Sequence, residues 1–155
     1  MSSAAIGLLL ADWRIRGIGL NDGATPAALA AFEAAAGVQL TQEFHDFYAS
    51  ADGMDSDSYD DLIFGWWSLE HVLAELRDPE HRPLEAPRAL DFADGLIESH
   101  RYALVLEGPT RGAIVAHWHG EEPQIAAANL EEFAERFRQA PETVYLVPRS
   151  KRADA

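Results

Sequence analysis

A change of hydrophobic rhythm near residue 60 divides this chain into two kinds of secondary structure. Before it, apolar side chains recur at steps of three and four, the spacing that lines one face of a helix. Ile6, Leu9, Leu10 and Trp13 predict a first helix over residues 3–14. Thr25 and Pro26 predict the start of a second: the threonine oxygen can cap free amides, and proline at the first helical position gives up an N–H that has no partner there. Leu29, Phe32, Glu33 and Ala36 continue it, and Gly37 is placed to end it in the left-handed conformation. Thr41 is read as the cap of a third helix carrying Phe44, Phe47 and Tyr48, which stops before the turn pair Asp52-Gly53.

Beyond that point, short apolar runs alternate with turn residues. "DLIFGWW" (61–67) predicts a strand, and Ser68 caps a helix with Val72, Leu73 and Leu76 that ends at Arg77-Asp78-Pro79. Strands are expected at 89–93, 101–107, 112–118 and 124–127, with "EGPTRG" as a hairpin loop between the second and third of these. Asn129 with Glu132 forms a capping-box pattern. It opens a last helix with the stripe Leu130, Phe133, Ala134 and Phe137. "TVYLV" (143–147) is expected to be a final strand and 148–155 a flexible tail. No internal repeat is visible. The reading is an α+β fold, a mostly antiparallel sheet flanked by helices, in a single domain over residues 1–147.

A chain of 155 residues suits one domain and can bury roughly 68–70% of its unfolded surface. With no cysteine, disulfides and thiolate metal sites are excluded. The longest apolar run, "AAIGLLLA" (4–11), is far shorter than the ~20 residues of a membrane helix. It has no basic stretch before it, and Asp12 and Trp13 follow where a signal peptidase needs small residues. A cytoplasmic protein, neither exported nor membrane-bound, is expected. Net charge is −14, and between Arg16 and Arg77 there are eleven acids and no lysine or arginine. Such a field repels phosphate backbones, so direct nucleic-acid binding is not expected. It attracts a cationic protein.

Taken in order, "TPAALAAFEAAAGVQLTQEFHDFYASADGM", "FGWWSLEHV", "LDFADGLIESHRYALVLE" and "ANLEEFAERF" resemble the SUKH superfamily, the group that includes the fungal cell-wall-assembly regulator, over roughly residues 25–138. The resemblance implies a SUKH-like α+β domain. In bacteria it implies an immunity protein that neutralises a toxin domain, often a nuclease or deaminase. It carries over no catalytic residue and no cofactor, so an enzyme is not expected. A regulatory or scaffold module without a toxin partner is the alternative within the same fold.

The segment "HDFYASADGMDSDSYDDLIFGWW" (45–67) holds six aspartates. Calcium binding through an EF-hand fails: counting from Asp55, the sixth position is Asp60 instead of glycine and the twelfth is Trp66 instead of glutamate. Either the segment is a solvated loop, or it faces a basic partner. On the second reading Asp52, Asp55, Asp57, Tyr59, Asp60, Asp61 and Trp67 form the binding surface for a basic toxin domain. Trp66 and Trp67, as strand neighbours, point to opposite faces. One is then core and the other, taken here as Trp67, lies at the core edge or surface. "HWH" (117–119) puts His117 and His119 on one strand face, where a third ligand would complete a zinc or iron site. A metal-dependent hydrolase using that pair and nearby carboxylates is a further alternative. No companion motif supports it, and the expectation is that neither histidine binds metal.

Overall fold

The capping signals act largely where the sequence places them. In the computed structural model, which describes residues 4–55, 59–81, 84, 87–95, 100–118 and 121–146, α1 spans Ala4–Ile15 and buries Ile6, Leu9, Leu10 and Trp13. Helix α2 (Pro26–Ala36) opens on Thr25, whose Oγ1 accepts from the Ala28 N–H at 3.1 Å. It ends at Gly37, whose φ of 68° suits glycine and strains other residues. Helix α3 (Gln42–Ser50) buries Phe44, Phe47 and Tyr48. Thr41 does not cap it through its side chain, and its buried Oγ1 has no hydrogen-bond partner among the described residues. Helix α4 (Leu69–Arg77) is capped by Ser68, whose Oγ accepts from His71 N at 3.1 Å. In α5 (Leu130–Gln139), Asn129 Oδ1 accepts from Glu132 N at 2.8 Å, while the Glu132 carboxylate pairs with Arg136 at 3.0 Å.

Five strands, β1 (Phe64–Trp66), β2 (Ala89–Gly95), β3 (His100–Val105), β4 (Ile114–His117) and β5 (Gln124–Ala127), form one antiparallel sheet in sequential order. Together with the helices they make an α+β domain. Two expectations need correction. The strand expected over 61–67 begins only at Phe64, because Asp60 draws the preceding residues into a turn. The strand expected over 143–147 is a 3₁₀ helix, Pro141–Val144. Pro141 has no N–H to give a ladder, and both Thr143 N and Thr143 Oγ1 donate to the Ala140 carbonyl, at 2.9 and 2.7 Å. Val147 and the tail expected over 148–155 lie outside the described residues. Among the described residues no helix is long and apolar enough to cross a membrane.

Directly paired residues share a sheet face. The register Trp66–Ala93–Tyr102–Ala116 and the register Leu90–Leu104–Ile114 define the first face. It holds the main core with α1 and α5, and both Phe32 and Phe133 are buried in that core as predicted. Trp13 stacks between Phe64 and Trp66, at ring distances of 5.9 and 6.0 Å. Helix α1 is tied to α5 at the surface by Asp12 and Arg138, 2.8 Å apart. The second face carries a different row, Gly65–Asp94–Arg101–His117, running across four strands. A bulge between Asp91 and Ala93 shifts the pleat by one residue. Asp91, opposite Ala103, therefore joins Asp94 on this face.

Candidate functional site

Asp60 organises the acidic segment. It is buried, and its Oδ2 accepts from the Trp13 indole N–H at 3.0 Å. Its Oδ1 accepts from the backbone N–H groups of Leu62 and Phe64, both at 2.9 Å. Burial pushes the carboxyl pKa up, and these donors pull it back. A carboxylate has the acceptor capacity to close a turn and hold an indole together. The pinned turn forces Ile63 to φ 60°, a left-handed conformation that costs a β-branched residue about 1–3 kcal/mol. It also leaves Ile63 39% and Tyr59 36% exposed.

The other predicted site residues fall into distinct roles. Asp61 is exposed and pairs with Arg16 at 3.2 Å. Asp55 is exposed, and its N–H donates to the Gly19 carbonyl at 3.1 Å. Its carboxylate occupies the place a side chain at residue 19 would take, so Gly19 makes room for it. Both aspartates therefore border the segment that follows α1. Asp52 is half-buried and accepts from Leu69 N at 2.8 Å, adding a second cap to α4; its pKa is raised, mainly by burial. Asp57 lies outside the described residues. Trp67 is a correction. It does face away from Trp66, as alternation requires, but both are buried, at 3% and 1% exposure. Asp60 is likewise buried and not available to a partner. The second face is covered at Trp67 by His71, stacked at 4.3 Å, and by the Arg101 guanidinium 5.2 Å from the indole.

That cover belongs to a polar network the sequence did not reveal. Trp67 Nε1 donates to Asp94 Oδ1 at 2.7 Å. Arg101 donates to Glu75 Oε2 and to His81 Nδ1, each at 3.2 Å, and lies 3.7 Å from Asp91 Oδ2. Because a guanidinium only donates, the contact to His81 Nδ1 is a hydrogen bond only in the tautomer that carries the ring proton on Nε2. That Nε2 faces Asp91 Oδ2 at 3.5 Å, and neither atom has a hydrogen-bond partner among the described residues. Asp91 Oδ1 is taken by His117 Nε2 at 2.5 Å. The network floors a cleft of about 570 Å³ whose rim includes Asp78, Glu80 and Trp118.

His117 is thus buried and committed to Asp91, while His119 lies outside the described residues. Among the described residues no group of three His, Asp or Glu side chains is arranged to hold a metal ion. On the first face, burial lowers the pKa of His100 to about 4, and its Nε2 lies 2.9 Å from the Tyr102 hydroxyl.

The model of one protein family, the SMI1 / KNR4 family (SUKH-1), matches residues 23–136. A comparison with curated proteins gives no match. The matched span runs from the cap of α2 into α5 and contains every strand, the acidic turn and the polar cleft. On that span the chain belongs to the SMI1 / KNR4 family (SUKH-1).

Proposed function

We propose that this protein is a cytoplasmic immunity protein that binds and neutralises a cationic toxin domain, of nuclease or deaminase type, and has no catalytic activity or cofactor of its own. Family membership supports a protein-interaction module in general. The acidic turn carries the rest of the reading. Ile63 and the partly exposed Tyr59, whose ring lies against Gly65, flank the buried Asp60 hook, and Asp61 and Asp55 belong to the same stretch, which has no lysine or arginine from residue 17 to 76.

An exposed aromatic and an exposed aliphatic side chain inside a charged rim match the layout of a binding hot spot. The rim steers a basic partner, raising association from ~10⁵–10⁶ toward ~10⁸ M⁻¹s⁻¹ at low salt. In this reading Asp55, Asp57 and Asp61 supply the field, Tyr59 supplies contact area, Asp60 holds the turn in shape, and the half-buried Asp52 and buried Trp67 secure the start of α4 and the second sheet face. The partner's basic cleft, built to hold phosphates, is blocked by the acidic turn.

The test is binding kinetics against a candidate toxin domain, sought among the neighbouring genes, at two salt concentrations. Tyr59→Ala should weaken binding roughly tenfold, through faster dissociation. Asp55→Asn/Asp61→Asn should slow association and flatten its salt dependence. Rates equal to wild type for both variants would refute the assignment.

A further inference from the structure

We infer that a second concavity, between the C-terminal ends of α2 and α4 and the β2–β3 pair, binds a small monocarboxylate with an apolar body. It uses neither the acidic turn nor the second-face cleft, so it stands apart from the proposed toxin reading. The concavity holds about 330 Å³. It is lined by buried Leu90, by half-buried Val38, Leu76 and Leu106, and by exposed Arg88 and Glu107. A mostly apolar lining with few polar groups is the usual make-up of a small-molecule site.

Local structure explains how a cation comes to stand beside this apolar surface. Gly37 turns the chain out of α2, and two arginines hold the backbone on either side of Val38. Arg88 donates to the Gly37 carbonyl at 3.1 Å. The neighbouring Arg111 donates to the carbonyls of Gln39 and Leu106, each at 3.1 Å. Leu106 in turn donates its N–H to the Arg88 carbonyl at 2.9 Å. These acceptors are neutral, so they orient the guanidinium groups without neutralising them. A guanidinium carries five N–H donors, of which Arg88 uses one here and Arg111 two. Arg16, Arg101, Arg136 and Arg138 each lie against a carboxylate, whereas among the described residues Arg88 and Arg111 have no ion pair.

The ligand chemistry follows from that pairing of surfaces. A cation would meet two guanidinium groups against the single carboxylate of Glu107. A neutral apolar molecule would cover Val38, Leu76 and Leu106 and leave the arginine donors unanswered. A polyanion would bring more charge than the apolar walls admit. A monocarboxylate on a short hydrocarbon body satisfies both parts: the body takes the half-buried side chains out of water, and the two oxygens accept from the planar fork of Arg88.

The probe is hexanoate, followed through the backbone amides of Val38 and Leu106 by nuclear magnetic resonance. Hexanamide keeps the chain without the charge, and acetate keeps the charge without the chain. Hexanoate should give saturable shifts with a Kd of about 1–10 mM, and both controls should bind about fivefold more weakly or worse. Arg88→Gln should weaken hexanoate about fivefold, while Glu107→Gln, which removes the one like charge at the rim, should bind it at least as tightly. Both residues are exposed, and an unaltered spectrum away from the concavity verifies that each variant is folded. No response to hexanoate, an equal response to hexanamide, indifference to Arg88→Gln, or weaker binding in Glu107→Gln would each overturn the inference. A response to an acidic apolar peptide with none to hexanoate would give the concavity to a protein segment, and overturn it as well. No toxin enters these measurements, so their failure leaves the reading of the acidic turn untouched.

Discussion

Trp66 and Trp67 are equally buried, yet they lie on sheet faces that achieve burial by different means. Toward α1 and α5, Trp66 stacks 3.5 Å from Phe47 and beside Trp13, among aromatic and aliphatic neighbours. On the other face Trp67 is enclosed by Asp94, His71 and Arg101. Apolar burial contributes stability in proportion to the area removed from water. Buried charges contribute little net stability, because desolvation offsets their attraction, but losing one partner is costly. The first face holds the fold together, and the second fixes side chains in position around a cleft.

The largest effect should come from the first face. Phe133→Ala should lower unfolding free energy by about 3–5 kcal/mol in a urea titration. A loss under about 1 kcal/mol would mean that face is not the core. On the second face, Arg101→Met should cost about 3 kcal/mol despite adding an apolar side chain, because Asp91 and Glu75 lose their cation. A neutral outcome would erase the contrast, showing the charges to be as replaceable as packing.

Acid sharpens the comparison, since a histidine is buried on the apolar face. His100 has a folded pKa of about 4, below the 6.5 of an unfolded histidine. Between those values the unfolded chain binds the proton and the folded chain does not. Its contribution is therefore complete above pH 6.5 and fades as pH falls toward the folded value. From pH 6.5 to 4.5 the loss should be roughly 2 kcal/mol, and His100→Gln should remove that part of the slope. An unchanged slope in the variant would show that His100 does not carry the acid sensitivity.

The helices were legible in the sequence because their signals are local: Thr25, Ser68 and Asn129 cap within three residues, and Phe32 and Phe133 follow a simple period. The alternation that separates Trp66 from Trp67 was legible for the same reason. The cleft was not. Asp91 and Asp94 are three apart, which in a regular strand puts them on opposite faces, and only the bulge after Asp91 unites them. His81 and Glu75 arrive from a loop and a helix, which a strand pattern cannot anticipate. Trp67 was misplaced because a residue opposite the core was equated with an exposed one. In the acidic segment six aspartates look alike as letters. What separates Asp60 from Asp55 is the indole of Trp13, 47 positions away in the chain.

That last contrast is the sharpest test, because it sets two aspartates of one segment against each other. Unfolding free energy and the rate of association with the proposed toxin partner are measured for Asp60→Ala and Asp55→Asn. Asp60→Ala should lose about 2 kcal/mol of stability, since it leaves the Trp13 and Phe64 donors buried without an acceptor. Asp55→Asn should stay within about 0.5 kcal/mol of wild type in stability and slow association at low salt. This crossed result is the one the account predicts. A stable Asp60→Ala protein, or an Asp55→Asn protein that associates as fast as wild type, would contradict it.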